Sequence, residues 1–298
     1  MERLQQKLCQ LGVHTQTEYP LSHHSSFRIG GAAALAAFPN SRTQMLDTLQ
    51  AVQKSGVRSL VIGRASNVVF SDTGFEGVVI FTTAWQECTQ EGKTLHASAG
   101  CTLYALACAA ERASLAGLEF AHGIPGTLGG AVMMNAGAYG GSIADVCCVS
   151  EYFDPTAQEI RRAEGDVQCF GYRTSMYTDH PDYAILSATL TLSPDDRGAI
   201  RARMDDYKAR RRATQPLEYP SAGSVFKRPE GHFAGKLIED CGLKGLCIGG
   251  AEVSRKHAGF IVNRGDATAE DVRRLVDQIQ TTVYRETGVL LECEIRFL

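Results

Sequence analysis

Along the chain, apolar residues recur with a helical period in some stretches and a strand period in others. The opening MERLQQKLCQLG predicts a short amphipathic helix carrying Glu2, Arg3 and Lys7, and a second helical stretch is expected near 41–55. Residues 57–81, VRSLVIGRASNVVFSDTGFEGVVIF, read as a buried strand, a Gly/Ser/Asn turn and further short strands. Helical spacing returns over 102–114, with Thr102 as a candidate N-cap whose hydroxyl can satisfy an open backbone N–H. After the strand-like VCCVSEYFD and YAILSATLTL comes SPDDRGAIRARMDDYKARRRATQP, a polar, basic helix closed by Pro216 at an expected domain boundary. Beyond it, GSVFKRP, AGKLIEDCG, GGAEVS and AGFIVNRG alternate strand and helix. They lead to a helix over 268–288, opened by the capping-box pair Thr268 and Asp271, and to the closing LLECEIRFL. There is no internal repeat and no low-complexity linker.

Composition narrows the class. A chain of 298 residues, 44% hydrophobic and 21% charged, is long enough for two or three globular domains. A net charge of −3 with no basic tail gives nucleic acid no foothold. No apolar run approaches the roughly 20 residues that span a bilayer, and the first residues lack the long apolar core of a secretory signal. Ten scattered cysteines with no C-x-x-C pair are expected to be free thiols in a reducing cytoplasm, and no metal site is expected.

The chemistry concentrates in GIPGTLGGAVMMNAGAYGG, residues 123–141, which holds seven glycines and no charge. Glycine lets backbone approach a ligand closely and reach positive φ, so successive N–H groups can line one concavity suited to a pyrophosphate. The same glycines also serve tight turns and close helix packing, and both readings stay open on the sequence alone. A second candidate loop is IGRASNVVF, with Gly63, Ser66 and Asn67. G-x-G-x-x-G and the P-loop pattern are absent, so a dinucleotide held here is not held in the Rossmann manner. In LLECEIRFL, Leu291, Cys293, Ile295 and Phe297 alternate with Glu292, Glu294 and Arg296, as a strand with one charged face would. Ser221 and Ser224 flank a small-residue turn and Arg173 sits among aromatics in GYRTSMY; on these residues alone, local hydrogen bonding and surface stacking are the readier accounts. Neither G-x-S-x-G nor H-E-x-x-H occurs.

The motifs in order go further. SSFRIGG, IGRASNVVF, the glycine run, GYRTSMY, PSAGSVFKRP, GLKGLCIGGAEVSRKHAGFIVN and LECEIRF resemble the UDP-N-acetylenolpyruvoylglucosamine reductase family, from about residue 20 to the end of the chain. The resemblance implies an α+β chain: a vanillyl-alcohol-oxidase-type (PCMH-type) FAD-binding fold of two subdomains, followed by a C-terminal α+β substrate-binding domain. The implied divisions are an N-terminal lead-in at 1–20, an FAD domain at 21–196 with subdomains of about 21–82 and 83–196, and a substrate domain at 197–298. The implied reaction passes hydride from NADPH through a tightly but non-covalently bound FAD to C3 of UDP-N-acetylglucosamine enolpyruvate, giving UDP-N-acetylmuramate for peptidoglycan. A cytoplasmic monomer is expected.

Site residues carry over on the same motifs. The resemblance places FAD against Gly63, Arg64, Ala65, Ser66, Asn67 and Val68, and against Gly123, Ile124, Pro125, Gly126, Thr127, Gly129, Gly130, Ala131, Asn135, Gly137 and Ala138. It gives Ser224 the role of proton donor to C2, and Arg173 and Glu294 that of polarising the substrate carboxylate. A guanidinium can hold a carboxylate bidentately, and Glu294 can donate only when protonated, which burial favours. Tyr172, Arg173, Gly223, Ser224, Lys227, Lys244 and His257 would line the substrate pocket. The basic run Lys208, Arg210, Arg211 and Arg212 reads equally as a phosphate contact or as a solvated helix face. Two departures stand out: Arg64 and Ala65 replace frequent glycines, and the insertion with a closing tyrosine found in the longer family type is missing after TLTLSP. Another flavoenzyme of the same fold and a non-catalytic nucleotide-sugar binder are the competing readings.

Overall fold

The computed structural model describes all 298 residues, which resolve into two compact units. The first comprises Met1–Thr17, Ala34–Arg64 and Gly77–Arg210; the second comprises Glu18–Ala33, Ala65–Glu76 and Arg211–Leu298. No helix is long and apolar enough to cross a membrane.

In the first unit a five-stranded antiparallel sheet runs in the order Glu159–Glu164, Cys147–Asp154, Ala184–Thr191, Thr94–Ser98, Cys88–Glu91. Leu95, Ala97, Ala188 and Leu190 pack with Leu103, Leu106 and Ala110 of the helix Leu103–Arg112. The same core takes in Leu128 and Val132 of the short helix Leu128–Met133, and Ile200 and Met204 of the helix Arg197–Thr214. A four-stranded sheet has the order His14–Pro20, Ala32–Phe38, Phe75–Phe81, Ser59–Ile62, its last pair parallel with Leu60 opposite Val79. Leu35, Ala37, Val78 and Ile80 from that sheet lie beneath Leu4 and Leu8 of the helix Glu2–Gln10 and Met45, Leu49 and Val52 of the helix Arg42–Ser55. Each fully buried aliphatic side chain of this kind contributes on the order of 1.5–3 kcal/mol.

The second unit is centred on the helix Ala269–Thr287, whose Val272, Leu275, Val276, Ile279 and Val283 fall at helical spacing on one buried face. Against it lie the antiparallel strands Cys247–Ile248, Ala251–Val253 and Ile261–Asn263. Phe27, Ile29 and Val69 belong to this core, which is why the segments around 18–33 and 65–76 join the C-terminal third of the chain. Asn263, buried, secures one of them by donating from Nδ2 to the Phe27 carbonyl at 3.1 Å.

The caps expected at Thr102 and at Thr268 form as read, Thr102 accepting from Ala105 N–H and Thr268 with Asp271 completing a capping box. The Ser41 hydroxyl caps the helix expected near 41–55 by accepting from Gln44 N–H. Asp72 adds a non-local cap, accepting from the N–H groups of Ala269 at 2.8 Å and Glu270 at 3.1 Å. Two expected strands come out shorter. Residues 223–229 form no regular strand but single bridges, Ser224 with Phe260 and Phe226 with Cys293; of 290–298 only Arg296–Phe297 is regular, parallel to Val68–Val69. The Val225 carbonyl accepts from both Glu294 N–H at 2.7 Å and Ile295 N–H at 3.4 Å, and this doubled acceptor offsets the register as a bulge does.

Candidate active site

The glycine run lies wholly in the first unit and answers to both of the readings open on its sequence. Packing requires some of its glycines. A Cβ at Gly129 would stand 2.9 Å from Ala99 Cβ, one at Gly137 would stand 2.8 Å from the Gly141 carbonyl, and one at Gly141 would stand 2.7 Å from the Phe120 ring. Gly63, from the other expected loop, is tied to the run in the same way, since its Cβ would overlap the buried Thr127 hydroxyl. Open space belongs to others: a Cβ at Gly130 meets nothing closer than 3.8 Å and one at Gly140 meets nothing within 4 Å. The tip of the run is anchored by Tyr139, which stacks on Tyr207 at 4.4 Å between centroids and donates its hydroxyl hydrogen to the Tyr207 carbonyl.

Arg173 occupies a tight turn. Gly171 and Thr174 exchange backbone hydrogen bonds of 3.1 and 3.3 Å across Tyr172 and Arg173, and Arg173 has φ 57. That left-handed conformation costs a residue with a side chain about 1–2 kcal/mol, so the surroundings must enforce it. The turn is bound to the glycine run at alternate residues. Asn135 Nδ2 donates to the Gly171 carbonyl at 2.9 Å, an Arg173 guanidinium N–H to the Gly137 carbonyl at 3.2 Å, and the Ser175 hydroxyl to the Met133 carbonyl at 2.7 Å. Beneath it Ser150, Gln168 and Tyr177 form a buried network, with Ser150 Oγ 2.7 Å from both Gln168 Oε1 and the Tyr177 hydroxyl. Burial raises the Tyr177 phenol above its ordinary range, so it stays protonated and structural.

In the second unit Ser224 and Glu294 come together through the backbone: Glu294 donates its N–H to Val225, the residue after Ser224. Ser224 is exposed and Glu294 half-buried, while Leu291 and Ile295 on the other face are buried. Asn67 Nδ2 donates to the Glu294 carbonyl at 3.2 Å, and the Asn67 carbonyl accepts from Arg296 N–H at 3.0 Å, so this part of the IGRASNVVF loop fixes the segment around Glu294. Ser26 ties two further motifs, its hydroxyl donating to Ser221 at 2.7 Å and its N–H to the Ala65 carbonyl at 3.4 Å. Ala65 has φ 48, the conformation that a glycine there would adopt freely.

Lys227 pairs with Glu292 at 3.1 Å and Lys244 with Glu239 at 2.7 Å. His257 Nδ1 accepts from Gly259 N–H at 3.1 Å, which leaves the proton on Nε2; burial first, then the Lys244 charge, lowers its pKa. The ring is therefore a neutral donor. Burial likewise pushes the Cys293 thiol, beside Glu294, up to about 11, leaving it an unreactive neighbour. Of the basic run, Arg210 pairs with Asp206 at 2.7 Å along an exposed helix face.

One residue had no signal in the sequence. His122, immediately before the glycine run, is buried with Nδ1 lacking any hydrogen-bond partner, and burial lowers its pKa. A buried polar atom without a partner is costly. An orphaned atom of this kind, on the residue that precedes the glycine run in sequence, fits a bound group that supplies the missing partner. FAD, with its hydrogen-bonding rings and long backbone-hugging diphosphate, suits both features.

Comparison with known proteins agrees with this geometry. Residues 33–162 match the model of an FAD binding domain, and residues 215–298 match the UDP-N-acetylenolpyruvoylglucosamine reductase C-terminal domain. The chain is 46% identical over 279 residues to the UDP-N-acetylenolpyruvoylglucosamine reductase of Levilactobacillus brevis, covering 94% of this chain and 91% of that one. It is 45% identical over 289 residues to that of Caldicellulosiruptor bescii, covering 96% and 91%. The crystal structure of the Thermus caldophilus UDP-N-acetylenolpyruvylglucosamine reductase (MurB) superposes with a TM-score of 0.79 at 32% identity, over 96% of this chain and 98% of that one. The expected α+β architecture, an FAD-binding domain with a further C-terminal domain, is borne out. Similarity of this extent, through both domains and over more than nine-tenths of each chain, means that the chain belongs to the UDP-N-acetylenolpyruvoylglucosamine reductase family.

Proposed function

We propose that this oxidoreductase reduces the enolpyruvyl group of UDP-N-acetylglucosamine enolpyruvate to give UDP-N-acetylmuramate, acting as a monomer in the cytoplasm. The observation that carries the reading is the backbone pairing that sets Ser224 and Glu294 one residue apart across segments distant in sequence. A non-catalytic binder has no need of a proton donor there. When bound, FAD supplies hydride transfer between NADPH and C3 of the substrate. The chain supplies the rest: Ser224 delivers a proton to C2, while Arg173 and Glu294 stabilise the charge that grows on the carboxylate. A serine hydroxyl is a weak acid, so the step needs a water-poor site and a strongly basic carbon. Gly63, Thr127, Gly129, Gly130 and their neighbours hold the cofactor, with His122 as a further contact. Lys227, Lys244 and the neutral Nε2–H of His257 receive the UDP-sugar. In this reading residues 21–196 form the FAD domain and 197–298 the substrate domain.

The test is a visible spectrum of the purified protein, followed by anaerobic NADPH and then the enolpyruvyl substrate. A yellow protein that bleaches with NADPH and recovers its colour only with that substrate is the expected result. A colourless protein that takes up no added FAD overturns the reading in favour of a nucleotide-sugar binder, and bleaching by a simple sugar alone, with steady oxygen consumption in air, overturns it in favour of an oxidase.

A further inference from the structure

Asn135 falls in the glycine run, where the resemblance assigns it to FAD, yet its side chain is engaged elsewhere. It is buried, and both ends of its amide bond the protein: Nδ2 donates to the Gly171 carbonyl at 2.9 Å and Oδ1 accepts from Ala144 N–H at 2.9 Å. Gly171 is the first residue of the turn that holds Arg173 at φ 57, and its carbonyl also accepts the Thr174 N–H that closes that turn. Opening the turn would let Arg173 relax to an ordinary φ and swing its guanidinium from where it stands, with one N–H on the Gly137 carbonyl. A residue in a sparsely populated conformation persists only where its surroundings over-determine it, and such strain gathers at functional sites. The Asn135 amide is the one side chain shown reaching the turn's closing carbonyl from outside the turn.

We propose that Asn135 is a positioning residue for Arg173, its amide clamping the Gly171–Thr174 turn to the glycine run so that the guanidinium is presented in one fixed pose to the substrate carboxylate. The inference rests on the catalytic reading of Arg173. It makes the glycine run serve two masters, with the backbone facing the cofactor and one amide facing the group that handles the substrate's charge. Sub-ångström placement of a catalytic group is worth large factors in rate, so the loss of the clamp falls on one half-reaction and spares the other.

The holoenzyme variants Asn135→Asp, Asn135→Ser and Arg173→Lys and the double variant Asn135→Ser/Arg173→Lys test this. Aspartate keeps the acceptor for Ala144 but turns the donor to Gly171 into an oxygen; serine withdraws the amide from both partners without adding charge, so an effect shared by the two is loss of the Gly171 bond rather than of the Ala144 bond or a new electrostatic field. FAD per chain and the rate of bleaching by NADPH should stay within twofold of wild type. Flavin reoxidation by saturating enolpyruvyl substrate should fall at least tenfold, and Asn135→Ser should add less than twofold in the Arg173→Lys background. Loss of FAD, or equal slowing of both half-reactions, would overturn the positioning role and return Asn135 to the cofactor. Full additivity, or normal reoxidation in the Asn135 variants beside a slowed Arg173→Lys, would overturn it as well. Normal reoxidation in Arg173→Lys alone would instead remove the catalytic reading of Arg173 on which the proposal stands. If the aspartate variant fails to fold, the serine variant and its double carry the same decision.

Discussion

The glycine run and the Ser224–Glu294 pairing reach functional form by opposite means. In the run, shape comes from missing side chains: Gly129, Gly137 and Gly141 are glycines because a Cβ would collide with Ala99, Gly141 and Phe120, and stitches from Asn135 and Ser175 hold the Arg173 turn in a strained pose. In the pairing, shape comes from an unstrained backbone; Val225, Lys227, Glu292 and Glu294 exchange main-chain hydrogen bonds, and function lies in the side chains hung on that frame. A site of the first kind is broken by adding atoms. A site of the second kind is broken by removing the functional ones, with the fold left in place.

The largest expected effect follows from the second kind. Ser224 is exposed and its side chain is no part of a buried core. Ser224→Ala should therefore change stability by no more than about 0.5 kcal/mol, the usual range for surface substitutions. Removing a positioned proton donor should slow flavin reoxidation by substrate by about 10²–10⁴-fold while bleaching by NADPH is nearly unchanged. Stopped-flow of the two half-reactions with a thermal melt reads all three quantities. Unimpaired reoxidation would mean that the pairing only shapes the pocket, and the contrast with the glycine run would disappear.

The next effect is on stability. Gly63→Ala places a methyl onto the hydroxyl of Thr127, which is buried and β-branched and so has little room to turn. Overpacking of this kind costs roughly 1–3 kcal/mol, read as a lower denaturation midpoint and a reduced FAD content. Thr127→Ala in the same chain removes the colliding hydroxyl and leaves Thr127 Cβ at 3.1 Å, so the pair should recover more than half of the loss. A Gly63→Ala variant as stable as wild type would show that Thr127 yields.

What could be read from the sequence divides along the same line. Ser41, Thr102 and the Thr268–Asp271 pair act within one helical turn, and each cap forms where its local pattern puts it. The ordered motifs carried the family and with it the candidate roles of Arg173, Ser224 and Glu294. The regular strand expected at 223–229 failed because its pairing depends on Phe260 and Cys293, neither of which marks that segment locally. The need for glycine at position 63 lies in Thr127, and the cap that Asp72 gives to residues 269 and 270 lies far along the chain. His122 is one of eight histidines, and only its burial without a partner at Nδ1 sets it apart.

The smallest effect probes the rule where the chain departs from it. Ala65 carries a Cβ at φ 48, in a turn where family members commonly have glycine. Ala65→Gly would relieve about 1–2 kcal/mol of left-handed strain. Against that stand roughly 0.5–1 kcal/mol for the added freedom of the unfolded chain and about 0.8 kcal/mol for a buried methyl lost. Ala65 is only 6% exposed, so the full methyl term applies. The terms nearly cancel, and the variant should unfold in urea within about 1 kcal/mol of wild type. Its backbone is already in the conformation glycine favours and accepts from Ser26 N–H, so FAD affinity should change less than threefold. A loss of stability well beyond that range would show the methyl to be a packed part of the second unit's core. A large gain in FAD affinity would show instead that the methyl holds the cofactor off the turn, and that this turn, like the glycine run, is governed by atoms it should lack.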